Sequence, residues 1–145
     1  MFRSNAFFGR LGRVFLGVMF LAFGFDKVRD IPATIGLMRD HAVPLPEVVA
    51  YVVMAIEILG GLLLVLGIGE RVAAALLAAY LVPVTLIAHP FWSAGGPEMM
   101  MQRIEFLKNL GLTGGLLAIA AEVPVALIHR EPIRTEIRPG DEIPV

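Results

Sequence analysis

Cysteine is missing from all 145 residues. Disulfides, thiol nucleophiles, cysteine-ligated zinc and iron–sulfur clusters are thereby excluded from this chain's own chemistry. Charge is scarce too, at 17% Asp, Glu, Lys and Arg, where soluble domains hold about 25%. The 12 basic and 13 acidic residues nearly cancel, leaving a net charge of −1. Nothing forms a dense basic face, so no nucleic-acid partner is expected. Metal chemistry finds little support. Met99, Met100 and Met101 are consecutive, and on a helix such neighbours point about 100° apart, which does not converge on one copper ion. His41 and His129 are expected on opposite sides of a bilayer, which leaves a bis-histidine haem unsupported. No cofactor or metal site is evident from composition.

Apolar residues fill the space that charge vacates, making up 57% of the chain with a mean hydropathy of +0.78. The run 48–69, VVAYVVMAIEILGGLLLVLGIG, holds a single acidic residue, Glu57, and no basic one. A helix rises 1.5 Å per residue and the hydrocarbon core is about 30 Å thick, so ~20 residues span it. A charge near the middle of such a span costs about 2.5–3.5 kcal/mol on insertion scales, so Glu57 needs a partner or a purpose.

Four such segments predict an all-α, integral membrane four-helix up-down bundle, with helices over 6–27, 48–67, 72–89 and 104–121. Barrel strands would be shorter and alternating. Arg3, Arg10 and Arg13 before the first apolar stretch resemble a signal peptide, but no small-x-small cleavage site follows, and the segment reads as a retained helix. Gly67, Gly69, Glu70 and Arg71 predict a tight turn, making the second and third helices antiparallel neighbours. A short surface helix is expected in ATIGLMRDH, between Pro32 and Pro44. The 90–103 connection carries Phe91 and Trp92 to the interface. The domain reading is a transmembrane unit over 1–125 and a flexible cytoplasmic tail over 126–145. Seven Lys and Arg residues fall on the side of the termini and five on the other. The positive-inside rule then puts both termini in the cytoplasm of a bacterial inner membrane.

This arrangement gathers polar residues toward the outer end. Lys27 closes the first helix, His89 the third, and Lys108 with Asn109 opens the fourth. The predicted site is a polar cavity with Glu57 at its floor and Lys27, His89, Trp92, Lys108 and Asn109 above. Arg13, Gly17, Phe20, Gly24 and Lys27 recur at steps of three and four, and so form one stripe of the first helix. Glu57, Gly61 and Leu64 do the same on the second. Small residues on such stripes allow close approach, and charges should face the bundle. Tyr80 and His89 are half a turn out of phase and are not expected to share a site. Plainer roles stay open: Glu57 as a packing hydrogen-bond group, Lys27 and Lys108 snorkelling to the headgroups, His89 as an interfacial residue.

Four words of sequence, RVFLGVMFLAFGFDK at 13–27, IEILGGLLLVLGIGER at 56–71, TLIAHPFW at 85–92 and FLKNLGLTGGLL at 106–117, resemble the DoxX family of small bacterial membrane proteins. The resemblance runs in order over 10–121. It implies a four-helix membrane fold and a link to membrane redox or oxidative-stress assemblies, some of them quinone-linked. It carries over no catalytic residue. With no autonomous redox centre or catalytic motif in the sequence, the expected role is an accessory subunit with quinone as a candidate ligand. The bilayer and another membrane or redox protein, or a second copy, are its expected partners. The alternative is a small-solute or proton-coupled carrier using Glu57, and a third is a scaffold whose polar core serves packing alone.

Overall fold

The computed structural model describes residues 2–121, and side chains from Phe7 onward. Five helices follow one another: α1 (Phe2–Arg29), α2 (Ile31–Asp40), α3 (Pro46–Leu66), α4 (Glu70–Ala88) and α5 (Gly96–Ala121). No strand occurs among the described residues. Four helices, all but α2, are long and apolar enough to cross a membrane, and α2 is the short surface helix. The tail expected over 126–145 lies outside the described residues.

The observed boundaries differ from the hydropathy limits most at the start of the first span and the start of the last, and by two residues or fewer elsewhere. Helix α1 begins at Phe2 and α5 at Gly96, eight residues ahead of the expected 104. Hydropathy falls where Arg3, Arg10, Glu98 and Arg103 begin, but a charge does not stop a helix. The chain instead turns at Gly96, in the left-handed region at φ 57°, and Pro97 suits a first helical turn because it needs no N–H there.

The α3–α4 turn is built as expected. Gly67 and Gly69 adopt φ 71° and 56°, values that a side chain would strain. The Gly67 and Ile68 N–H groups both donate to the Leu63 carbonyl, at 2.9 and 3.1 Å, using up an acceptor left open at the helix end. At the other end of the bundle the Asp30 side chain accepts from the Ala33 N–H at 3.0 Å and caps α2. Arg39 pairs with Glu47, tying α2 to the first turn of α3.

Each span contributes one of the largest wholly enclosed side chains: Phe20, Leu64, Leu77 and Leu116. Around them the outward faces are equally apolar, with Phe15 61%, Leu59 60% and Leu76 64% exposed. Such a belt is stable against lipid and not against water. The closest pairings are α1 along α3 and α4 along α5. At the α1–α3 seam a Cβ added to Gly17 would stand 2.7 Å from the Gly61 carbonyl oxygen, and one on Gly61 would meet the Gly17 oxygen at the same distance. The two backbones touch, as small residues at membrane helix crossings permit.

Candidate functional site

The stripe on α1 lies against α3 along its whole length. Gly17, Phe20 and Gly24 are buried. A Cβ on Gly24 would meet Ile58 and the Glu57 Cβ. Arg13 reaches across the far end, where its guanidinium occupies the space above Gly67. Lys27 closes the stripe on Glu57. Its Nζ stands 2.9 Å from both carboxylate oxygens, and the angle suits a hydrogen bond only to Oε1. The Tyr80 hydroxyl, arriving from α4, donates to the same Oε1 at 2.8 Å. Glu57 Oε2 is enclosed and has the cation beside it but no well-aligned donor.

Burial is uneven across this triad. The Glu57 side chain is 5% exposed and that of Lys27 29%, so the ammonium is the carboxylate's connection to the surface. Level matters too. Glu57 lies opposite Gly24, five residues or about 7.5 Å from the end of α1, although it is eleven residues, about 16 Å, into α3. The first turns of α3 therefore project past α1 and meet α2. Glu57 sits packed beneath Lys27, where the sequence suggested the floor of a deep cavity.

The other predicted residues lie at the same end but are not brought together: His89 and Trp92 belong to the α4–α5 connection, while Lys108 and Asn109 sit on other faces of α5. Lys108 turns back to Glu105, one turn earlier on its own helix, with its Nζ 5.0 Å from the centre of the Phe23 ring. Lys27 Nζ approaches that ring at 5.9 Å, so Phe23 lies within cation–π range of both lysines. His89 ends α4, and its Nδ1 lies 2.9 Å from Gln102 Oε1. Phe91, Trp92 and Phe106 stack edge to face, with centroids 5.2–6.0 Å apart, and Trp92 is 58% exposed. Asn109 is buried on the bundle face of α5, one turn from Leu112, and its carbonyl accepts from Thr113 at 2.8 Å. Tyr80 and His89 part company, one to Glu57 and the other to Gln102.

Three functional-looking residues escaped the sequence reading: Gln102, Glu105 and Phe106. Glu105 had a signal in its i,i+3 spacing to Lys108. Phe106 shares a helical face with Glu105 and Asn109 inside the expected span, and Gln102 joins that face only once α5 is known to start at Gly96.

What this geometry can do is limited and definite. The triad holds one carboxylate in the bundle interior between a cation and a phenol. The aromatic cluster offers a flat apolar surface beside an imidazole. With Nδ1–H donating to Gln102, His89 Nε2 is an acceptor; protonated, it becomes a donor.

The DoxX family model matches residues 10–90, from α1 through the end of α4. The chain belongs to the DoxX family. The matched stretch holds Lys27, Glu57, Tyr80 and His89, while Trp92, Lys108 and Asn109 lie beyond it. The chain is 28% identical over 117 residues to the inner membrane protein YphA of Escherichia coli (strain K12), covering 81% of this chain and 84% of that protein. It is 34% identical over 70 residues to CatD of Bacillus subtilis (strain 168), which is provisionally named an oxidoreductase, covering 48% of this chain and 51% of that protein. No solved structure matches. Four lipid-length helices and this kinship make the chain a multi-pass membrane protein of the DoxX type.

Proposed function

We propose that this protein sits in a bacterial inner membrane with both termini cytoplasmic. There it serves as an accessory subunit of a membrane redox or oxidative-stress assembly, receiving a quinone headgroup at the α2 end of the bundle. One observation carries the reading: Trp92, Phe91 and Phe106 form a half-exposed aromatic shelf at the end of α4, with His89 and Gln102 beside it. A quinone needs a flat apolar surface for its ring and a group that serves both oxidation states. An imidazole accepts from a hydroquinone hydroxyl when neutral and donates to a quinone carbonyl when protonated. The provisional naming of one relative as an oxidoreductase and the name of another as an inner membrane protein agree with redox work in that membrane. The excess of Lys and Arg on the side of the termini supports the orientation. Electron transfer belongs to the partner in this reading, because the chain carries no thiol to act through.

The chain has one tryptophan, and it lies on the shelf, so quinone binding should quench its fluorescence in purified protein. His89→Ala is expected to weaken the quenching titration about tenfold, the worth of one good hydrogen bond to a charged or polar group. Equal titrations for the two proteins would end the quinone reading.

A second reading has its own support in Glu57. A carboxylate enclosed beside Lys27, with Oε2 lacking a well-aligned donor, suits a proton-coupled carrier. Solute uptake into proteoliposomes should then follow the pH gradient and disappear in Glu57→Gln. Uptake indifferent to both would exclude it.

A further inference from the structure

A crevice of about 200 Å³ runs between α4 and α5, lined by Val82, Thr85, Leu86, Phe106, Leu110 and Thr113. We infer that this crevice holds the first part of an isoprenoid tail whose ring lies on the aromatic shelf. The inference rests on the quinone reading and adds the half of the ligand that the shelf leaves unaccounted for.

Three features carry it. The first is continuity. Phe106 lines the crevice at the end nearest α2, and the same ring stacks on Phe91 and Trp92. A molecule with its ring on the shelf therefore has its tail delivered to the crevice mouth. The second is chemistry. The two threonines are the only polar side chains in the lining, and both hydroxyls are spent on their own helix. Thr85 donates to the Leu81 carbonyl at 2.6 Å and Thr113 to the Asn109 carbonyl at 2.8 Å. The walls thus offer carbon, with no donor to spare for a polar group.

Size is the third. At about 200 Å³ the crevice has room for a single carbon chain. From Phe106 to Thr113 the wall is seven residues, about 10 Å, long, and Val82, Leu86 and Leu110 are half exposed toward lipid. A tail can therefore slide in sideways from the bilayer. A second crevice, between α3 and α4 and lined by Leu59, Gly60, Ala73 and Leu76 among others, shares no residue with the shelf and serves as the control.

The test uses the full chain in proteoliposomes with a quinone carrying a photoactivatable diazirine on the first part of its tail. Adducts are mapped by mass spectrometry and ring binding is followed by Trp92 quenching. Adducts should concentrate on 82–86 and 106–113 and be displaced by unlabelled long-tailed quinone. Leu110→Phe, a change at a lipid-facing position that fills the crevice, should lower them roughly tenfold while ring quenching by a tailless analogue is unchanged. Leu59→Phe in the control crevice should leave them as they are. Adducts spread evenly over the lipid face, or insensitive to Leu110→Phe while His89-dependent quenching persists, would overturn the tail site and leave the ring site standing. Absence of His89-dependent quenching would remove the ring site and the tail site together.

Discussion

The two helix pairs of this bundle hold together by different means, although both are rich in glycine and each carries a lysine–glutamate pair. Along α1–α3 the glycines are the contact: Gly17 and Gly61 bring backbone to backbone, Gly24 admits Ile58 and Glu57, and Lys27 crosses between helices to a carboxylate that lipid and water cannot reach. Along α4–α5 the contact is made by side chains, Leu77, Leu81, Leu112 and Leu116 with the alanines of α4. The α5 glycines do nothing similar. Gly111 and Gly114 face open space and Gly115 meets only Leu16 of α1. Lys108 pairs within its own helix, with both partners about one-third exposed. One residue type serves two physical purposes, and burial against a neighbour is what separates them.

The largest effect should come from breaking the crossing ion pair on its exposed side. Lys27→Met leaves Glu57 enclosed with only Tyr80 as partner, and removing one member of a buried pair costs about 3–5 kcal/mol. Glu57→Gln should cost less, since Lys27 is near the end of α1 and can turn its ammonium outward. The double variant Lys27→Met/Glu57→Gln should recover most of the loss, because two uncharged groups carry no stranded charge. Unfolding titrations in mixed micelles give all three values. Lys108→Met, the matching change in the other pair, should stay within about 1 kcal/mol, as exposed pairs do. Equal losses for Lys27→Met and Lys108→Met would erase the distinction between the two pairs.

Next is the seam itself. Gly61→Ala puts a methyl 2.7 Å from the Gly17 oxygen and 2.9 Å from the Leu21 nitrogen. Both are backbone atoms, so the helices must separate, and overpacking of this kind costs about 1–3 kcal/mol. Separation would also lengthen the Lys27–Glu57 approach, so Gly61→Ala and Glu57→Gln should be less than additive in a double-mutant cycle. Full additivity would mean that the seam does not position the pair.

Tyr80 is the polar tie between α3 and α4, and Tyr80→Phe removes one hydroxyl while keeping the ring. Interhelical hydrogen bonds within membranes average about 0.6 kcal/mol in such cycles. A loss of that size, cancelled when Glu57 is already Gln, is the expected outcome. A loss that persists in the Glu57→Gln background would assign the hydroxyl another role.

Much of the α1–α3 side was legible in sequence because charge inside an apolar run must turn inward. Arg13, Gly17, Phe20, Gly24 and Lys27 declared one stripe by spacing alone, and Glu57, Gly61 and Leu64 declared its counterpart. The α5 side was not legible in the same way. The words at 60–63 and 114–117 are identical, GGLL, yet Gly61 is a backbone contact while Gly115, its counterpart, meets only the Leu16 side chain. Spacing fixes which residues share a face, while the neighbour that face meets is set by the whole bundle. The start of α5 was hidden for a related reason: hydropathy registers lipid, and the turns carrying Glu98, Gln102 and Arg103 continue the helix beyond the apolar stretch. The pairing of His89 with Gln102 depends on those turns.

The smallest change sharpens the contrast by its sign. In α5, Gly114→Ala meets nothing within 4 Å, so no contact is strained and the helix-propensity gain stands alone, about 0.5–1 kcal/mol in favour of alanine in a helix interior. Stabilisation is therefore expected at Gly114, where Gly61→Ala destabilises, from the same substitution in the same four-residue word. Gly115→Ala falls between them, because its new methyl would stand 3.2 Å from the end of the flexible Leu16 side chain, which can yield. The three variants, ranked by unfolding titration in one lipid mixture, should order as Gly114, Gly115, Gly61 from most to least stable. A destabilised Gly114→Ala would mean that a second surface, from another copy or another protein, packs on that face of α5 in the membrane.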